Sequence, residues 1–143
     1  MTEIKAYISG ALSGIPNPVE LKGFYERIAE VCAAEKIMAY VPHLITDPIT
    51  HPHITPQEVY ELDRAQVLKS DLLIAYAGIP SFGVGQEIEI ARQKNIPVIL
   101  LVEADAVISR MARGNPAVIA EIRFKDHDDA LAHLADWLHE WRL

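Results

Sequence analysis

A single cysteine, Cys32, stands among 143 residues, so an internal disulfide framework is excluded. It falls in a helix-like stretch, where a small apolar thiol packs into a core. No apolar run approaches the ~20 residues needed to span a membrane. The opening Met1-Thr2-Glu3-Ile4-Lys5 leads straight into a strand-like segment without a secretory pattern. These absences favour a reducing cytoplasm. Basic clusters are missing as well: 13 Lys and Arg face 20 Asp and Glu, a formal charge of −7. A face that grips a DNA or RNA backbone is therefore not expected. A small phosphorylated ligand stays compatible, because backbone amides and hydroxyls hold phosphate without a basic patch.

Several catalytic motifs are absent too. There is no Gly-x-x-x-x-Gly-Lys-[Ser/Thr] loop and no Gly-x-Gly-x-x-Gly after the first strand. Gly83-Val84-Gly85 precedes a helix, but Ile88 stands where the third glycine of a dinucleotide fingerprint belongs. No Gly-x-Ser-x-Gly nucleophile elbow occurs. Phosphoryl transfer and dinucleotide-dependent dehydrogenation are weak readings. His51-Pro52-His53 invites a metal, but the intervening proline and the lack of a nearby cysteine argue against a defined site. Neither a metal nor a cofactor is expected.

What is present alternates. Ile4 to Ser9 reads as a buried strand, followed by the small-residue loop Ser9-Gly10-Ala11-Leu12-Ser13-Gly14. Asn17-Pro18 reads as an N-cap with proline at the first helical position, opening a helix to about Glu35. Met38 to Val41 is a short strand, and His43 to Ile54 a loop. Thr55-Pro56-Gln57-Glu58 is a capping box that starts a helix reaching about Lys69. A strand over Asp71 to Tyr76, a loop over Gly78 to Gly83, and a helix over Val84 to Lys94 follow. Ile96 to Val102 is a strand apolar enough for burial on both faces. A short helix near Ala106 to Arg113, a strand near Ala120 to Phe124, and a helix from about Asp128 complete the pattern. One domain over 1–143 is expected: an α/β three-layer sandwich, Rossmann-like, with five parallel strands in the flavodoxin-like order 2-1-3-4-5. Ligands of such sheets sit at the carboxyl ends of the strands, so the loops after Ser9, Val41, Tyr76 and Val102 are where function is sought.

The third of these loops is the richest: Ser81-Phe82-Gly83-Val84-Gly85-Gln86-Glu87. Its glycines permit close backbone approach, and Glu87 falls in the first turn of the next helix, where the dipole favours the ionised form. An ionised carboxylate at this edge can act as a nucleophile or stabilise an oxocarbenium-like charge. It can equally do no more than complement the helix terminus. Glu89, two residues on, points elsewhere. Asp63 shares a helical stripe with Val59 and Val67, so it is either a proton donor with a raised pKa or a partner for a nearby arginine or backbone group. Tyr7 is either core or a group orienting a carboxylate from the neighbouring third strand. His43 either contacts a base or phosphate or is solvated.

These segments together resemble the nucleoside 2-deoxyribosyltransferase-like family, and within it the branch of 2'-deoxynucleoside 5'-monophosphate N-glycosidases and hydroxymethyl-CMP hydrolases. The resemblance spans roughly residues 4 to 124. It rests on Tyr7-Ile8-Ser9-Gly10, on Asp63 with Ser70-Asp71-Leu72-Leu73-Ile74-Ala75, and on Ser81 to Glu87, the most specific piece. It continues through Ile96-Pro97-Val98-Ile99 to Val107-Ile108-Ser109-Arg110-Met111-Ala112-Arg113-Gly114. It implies that Glu87 attacks or supports the anomeric carbon, that Tyr7 positions Glu87, and that Asp63 holds the sugar and assists proton transfer to the base. It implies phosphate binding by Ser81 and the backbone of Gly10, Ala11, Leu12 and Ser13, with Gly83 and Gly85 shaping the approach and His43 near the substrate. It further implies a homodimer in which Ser109 reaches the phosphate from the neighbouring subunit. Two residues depart from the branch: Ala11-Leu12-Ser13-Gly14 lacks its usual loop arginine, and Gln86 replaces a frequent aromatic. A base-exchanging deoxyribosyltransferase and a non-catalytic nucleotide sensor are the alternatives.

Overall fold

Five parallel strands form one sheet in the order β2-β1-β3-β4-β5, the order expected from the sequence. The computed structural model describes residues 3–143; the N-terminal reading at Met1 and Thr2 lies outside them. The elements are β1 (Ile4–Ser9), α1 (Pro18–Ala34), β2 (Ile37–Tyr40), α2 (His43–Thr46), α3 (Pro56–Leu68), β3 (Leu72–Tyr76), α4 (Phe82–Gln93), β4 (Val98–Glu103), α5 (Arg110–Arg113), β5 (Val118–Phe124) and α6 (His127–Arg142). Among the described residues no helix is long and apolar enough to cross a membrane.

Strand alternation sorts the core into two layers, because successive side chains of a strand point to opposite faces. Ala6 and Ile8 of β1, Leu72, Ile74 and Tyr76 of β3, and Ile99 and Leu101 of β4 pack against α1 and α6. Tyr7, Leu73, Ala75, Val98 and Leu100 pack on the other face, against α3 and α4. Burying each large apolar side chain contributes about 1.5–3 kcal/mol, which fixes the register. Tyr7 lies opposite Leu73 of β3 and Tyr40 of β2. The chain passes from β1 to β2 on one side and then crosses to β3 on the other, so the switch point between β1 and β3 opens at their carboxyl ends.

Two local differences from the sequence reading have physical causes, and one feature forms as expected. Asn17 precedes α1 as expected, but at φ 48° and ψ 57° its side chain makes no capping hydrogen bond; asparagine is used there for its tolerance of the left-handed region. The loop over His43 to Ile54 begins with the short helix α2, whose Thr46 hydroxyl bonds the Pro42 carbonyl at 3.1 Å. The capping box of α3 forms as read, with Glu58 N on Thr55 Oγ1 at 3.2 Å and Thr55 N on Glu58 Oε1 at 3.1 Å.

Candidate active site

The loops after β1, β2 and β3 surround a cleft of about 560 Å³, within the range of small-molecule sites. Gly10, Ala11, Leu12 and Ser13 form one wall, Pro42, Thr46 and Pro48 another, and Ser81, Phe82 and Gly83 a third. Helices α3 and α4 complete it with Val59, Tyr60, Asp63, Arg64, Gln86, Glu87 and Ile90.

Glu87 enters the cleft from a place the sequence reading put one turn too early. Helix α4 starts at Phe82, capped by the Ser81 hydroxyl, which accepts from Val84 N at 3.3 Å. Glu87 is therefore in the second turn, beyond the reach of the helix-terminal charge. Its direction comes instead from the helical stripe it shares with Val84, Ile88 and Ala91, all buried against the sheet. The carboxylate meets the sheet at two hydroxyls. Tyr7 Oη donates to Oε2 at 2.5 Å and Ser9 Oγ donates to Oε1 at 2.6 Å. Tyr7 and Ser9 are two apart on β1 and so share a face. Ser9 was not singled out in the sequence; the parity of its strand was the signal that could have found it.

The electrostatics differ from the expectation of a dipole-stabilised anion. Burial pushes the Glu87 pKa up to about 7, the Ser9 and Tyr7 hydrogen bonds pull against it, and the charge of Asp63 adds to the rise. Burial likewise raises Asp63 to about 6. Among the described residues, Asp63 Oδ1 is buried and makes no hydrogen bond. Tyr7 is raised by burial and by the charges of Glu87 and Asp63, so it stays protonated and acts only as a donor. Its ring stacks on Tyr40 with centroids 5.6 Å apart, which holds the hydroxyl in place. Two carboxylates with raised pKa and one fixed donor can perform nucleophilic attack and proton transfer on one substrate.

The remaining residues separate into two groups. Gly10, Ala11, Leu12, Ser13, Ser81 and Gly83 all face the cleft. His43 does not line it: the ring is buried, with Nε2 2.8 Å from Glu26 Oε2 on α1. The ring is thus not solvated, which was one of the two alternatives for it. Gly85 and Ser109 line a second cavity of about 710 Å³ on the other side of the α4 N-terminus, together with Phe82, Val107 and Met111. Ser109 caps α5, accepting from Ala112 N at 3.3 Å. Arg64 was also not anticipated; it is the one cation among the cleft-lining residues. Glu89 points away, as expected, and accepts from Asn115 Nδ2 at 3.1 Å. Among the described residues no group of three or more His, Cys, Asp or Glu is arranged to hold a metal ion.

No family model matches the chain. A Methanosarcina mazei protein, carrying the provisional name 2'-deoxynucleoside 5'-phosphate N-hydrolase 1, is 34% identical over 131 residues, 90% of this chain and 79% of its own length. Among solved structures, the Clostridium botulinum CMP N-glycosidase superposes with a TM-score of 0.72 at 18% identity, covering 93% of this chain and 98% of that one. The 2-deoxyribosyltransferase of Bacillus psychrosaccharolyticus superposes with a TM-score of 0.63 at 16% identity, covering 91% and 95%. At those identities the two structures show a common fold. The Methanosarcina mazei relative goes further: over nine-tenths of its length this chain belongs to the family of the 2'-deoxynucleoside 5'-phosphate N-hydrolases.

Proposed function

We propose that this chain is an N-glycosidase that hydrolyses the base–sugar bond of a nucleoside or 2'-deoxynucleoside 5'-monophosphate to free base and sugar 5-phosphate. The observation that carries the reading is Glu87, partly buried at the cleft floor and gripped by Tyr7 and Ser9, beside a second carboxyl of raised pKa on Asp63. The named activity of the Methanosarcina mazei relative supports it.

In the first step a Glu87 oxygen forms a bond to the anomeric carbon as the C–N bond breaks, and protonated Asp63 delivers its proton to the departing base. In the second, water attacks the same carbon, Asp63 takes up the water proton, and the Glu87 carboxylate is released. Tyr7 and Ser9 hold Glu87 in one rotamer throughout, so that little reorganisation accompanies attack. Ser81, the amides of Gly10 to Ser13 and the first turn of α4 at Gly83 receive the 5'-phosphate.

A homodimer with shared sites accompanies this proposal. Phe82, Val107 and Met111 are 94%, 99% and 88% exposed around the second cavity, and an apolar patch of that kind suits burial by another protein surface. Ser109 lines the same cavity, and in this proposal its hydroxyl serves the cleft of a second copy rather than its own. The proposal extends to a role in nucleotide metabolism within a cytoplasm.

The test is a panel of nucleoside 5'-monophosphates and nucleosides assayed for base release. Free base without an added acceptor supports hydrolysis. Release only when an acceptor base is supplied assigns base exchange instead, and tight binding without turnover assigns a sensor.

A further inference from the structure

One turn of α1, outside the cleft, reaches both of the loops that wall it. The Tyr25 hydroxyl donates to the Ala11 carbonyl at 3.0 Å. Its ring lies so close to Gly10 that a Cβ there would stand 2.2 Å from Tyr25 Cζ, an approach only glycine allows. Three residues earlier, Lys22 Nζ pairs with Asp47 Oδ2. Asp47 follows α2, is itself buried, and accepts the Ile49 amide on Oδ1 at 2.9 Å. One residue beyond Tyr25, Glu26 Oε2 lies 2.8 Å from His43 Nε2, and the His43 ring packs against Tyr25 with centroids 6.2 Å apart. Positions 22 and 26 are one turn apart on α1, and 43 and 47 are one turn apart along α2. The two pairs are therefore rungs between the helices, with Tyr25 between them holding the other loop.

None of these five side chains lines the cleft, yet the segments they hold do. Tyr25 fixes the wall at Gly10 to Ser13; Lys22 and Glu26 fix the wall formed by Pro42, Thr46 and Pro48. The Lys22–Asp47 pair is 17% and 3% exposed in its side chains. Removing one partner of a pair so withdrawn from water leaves an uncompensated charge, so the rung tolerates little displacement.

We propose that Lys22, Tyr25 and Glu26, with Asp47 and His43, form a positioning brace that sets the spacing of the two cleft walls and hence the grip on substrate. The inference rests on the cleft being the nucleotide site. A loop tied to a rigid helix is pre-organised, and loss of that order weakens binding before it touches the chemistry.

The experiment compares Tyr25→Phe, Glu26→Gln, Lys22→Met and the conservative Lys22→Arg. For a 2'-deoxynucleoside 5'-monophosphate, KM is expected to rise about five- to tenfold in the first three, with kcat within about twofold and Lys22→Arg near the parent. If the residues only stabilise the fold, the active fraction falls, so apparent kcat drops at constant KM; that result overturns the brace. Should Lys22→Met fail to fold, Tyr25→Phe and Glu26→Gln carry the same comparison. If the parent protein releases no base, the functional reading fails separately, and the brace is read from amide exchange instead. Lys22→Met or Glu26→Gln should then speed exchange both at Ile49 and across Gly10 to Ser13. Acceleration confined to residues 43–49 shows that the two walls are not coupled and overturns the proposal.

Discussion

Tyr7 and Glu87, 80 residues apart in the chain, meet through a 2.5 Å hydrogen bond in which the phenol donates to the carboxylate. The pair joins the first strand to the second turn of α4 across the floor of the cleft. Because Ser9 donates to the other oxygen at 2.6 Å, both oxygens of Glu87 are oriented by β1. Burial raises the pKa of this carboxyl and the two hydroxyls restrain the rise. That balance keeps it titrating near neutrality while holding it still.

Removing either hydroxyl disturbs this balance in a defined direction. In Tyr7→Phe the ring still packs on Tyr40, but a bond favouring the ionised carboxylate is gone, so Glu87 titrates above about 7. We expect the acid limb of the pH–rate profile to move up by about one unit, and Ser9→Ala to move it the same way. The loss of rate is then larger at pH 6 than at pH 8. A limb that stays in place in both variants would show that Glu87 is not the group being titrated.

Glu87→Ala should remove base release by about a thousandfold or more, the scale lost when a covalent nucleophile is deleted. The fold should survive, since the stripe of Val84, Ile88 and Ala91 that seats α4 is untouched. Circular dichroism establishes the fold and a base-release assay the activity. Near-parental turnover in a folded Glu87→Ala protein would remove the central claim.

The pH profile of the parent carries a second expectation. Glu87 and Asp63 titrate near 7 and 6, close enough to behave as a coupled pair sharing one proton. The reactive form holds that single proton, with Glu87 ionised and Asp63 protonated. Activity should therefore peak between about pH 6 and 7 and fall on both sides. Asp63→Asn should lose the alkaline limb; if the limb remains in that variant, another acid protonates the base.

The strand–helix alternation was legible because its signals are local: period, proline and the Thr55–Glu58 capping box each act within a few residues. The Glu87, Asp63 and Tyr7 positions were legible only through a sequence resemblance, since no local pattern separates a reactive glutamate from one that complements a helix end. Ser9, Arg64 and the bracing role of Tyr25 were not legible, because each depends on which strand or loop lies opposite. His43 shows the reverse case. Its position after β2 suggested a ligand contact, but α2 turns its ring towards Glu26 on α1, and a contact 17 residues away cannot be read from a loop's composition.

Ser109 tests the shared site. Its hydroxyl caps α5 and faces the second cavity, not the cleft of its own chain. If it reaches the phosphate of a second copy, Ser109→Ala should raise KM for monophosphates by about tenfold, a charge-assisted hydrogen bond, and leave nucleosides unchanged. Equal effects on both substrates would assign Ser109 to capping alone. Sedimentation at micromolar concentration should show a dimer, and Met111→Glu should split it by placing charge in the apolar patch.

The raised pKa of Glu87 also makes a stability statement. In the unfolded chain its carboxyl titrates near 4.5, and in the folded protein near 7. Between those values the folded state binds more protons than the unfolded one, so the contribution of this group to stability is complete below about pH 4.5 and is lost as pH rises through 7. Above pH 7 an ionised carboxylate sits in a partly buried place at a cost on the order of 3 kcal/mol. Glu87→Gln keeps the shape and cannot ionise. It should therefore be more stable than the parent at pH 8 by about that amount, with the difference shrinking towards pH 4.5. Thermal unfolding followed across this range reads the trend directly. A Glu87→Gln protein that is less stable than the parent at pH 8 would mean that Tyr7 and Ser9 more than offset burial, and that Glu87 is held as a structural anion rather than kept poised for reaction.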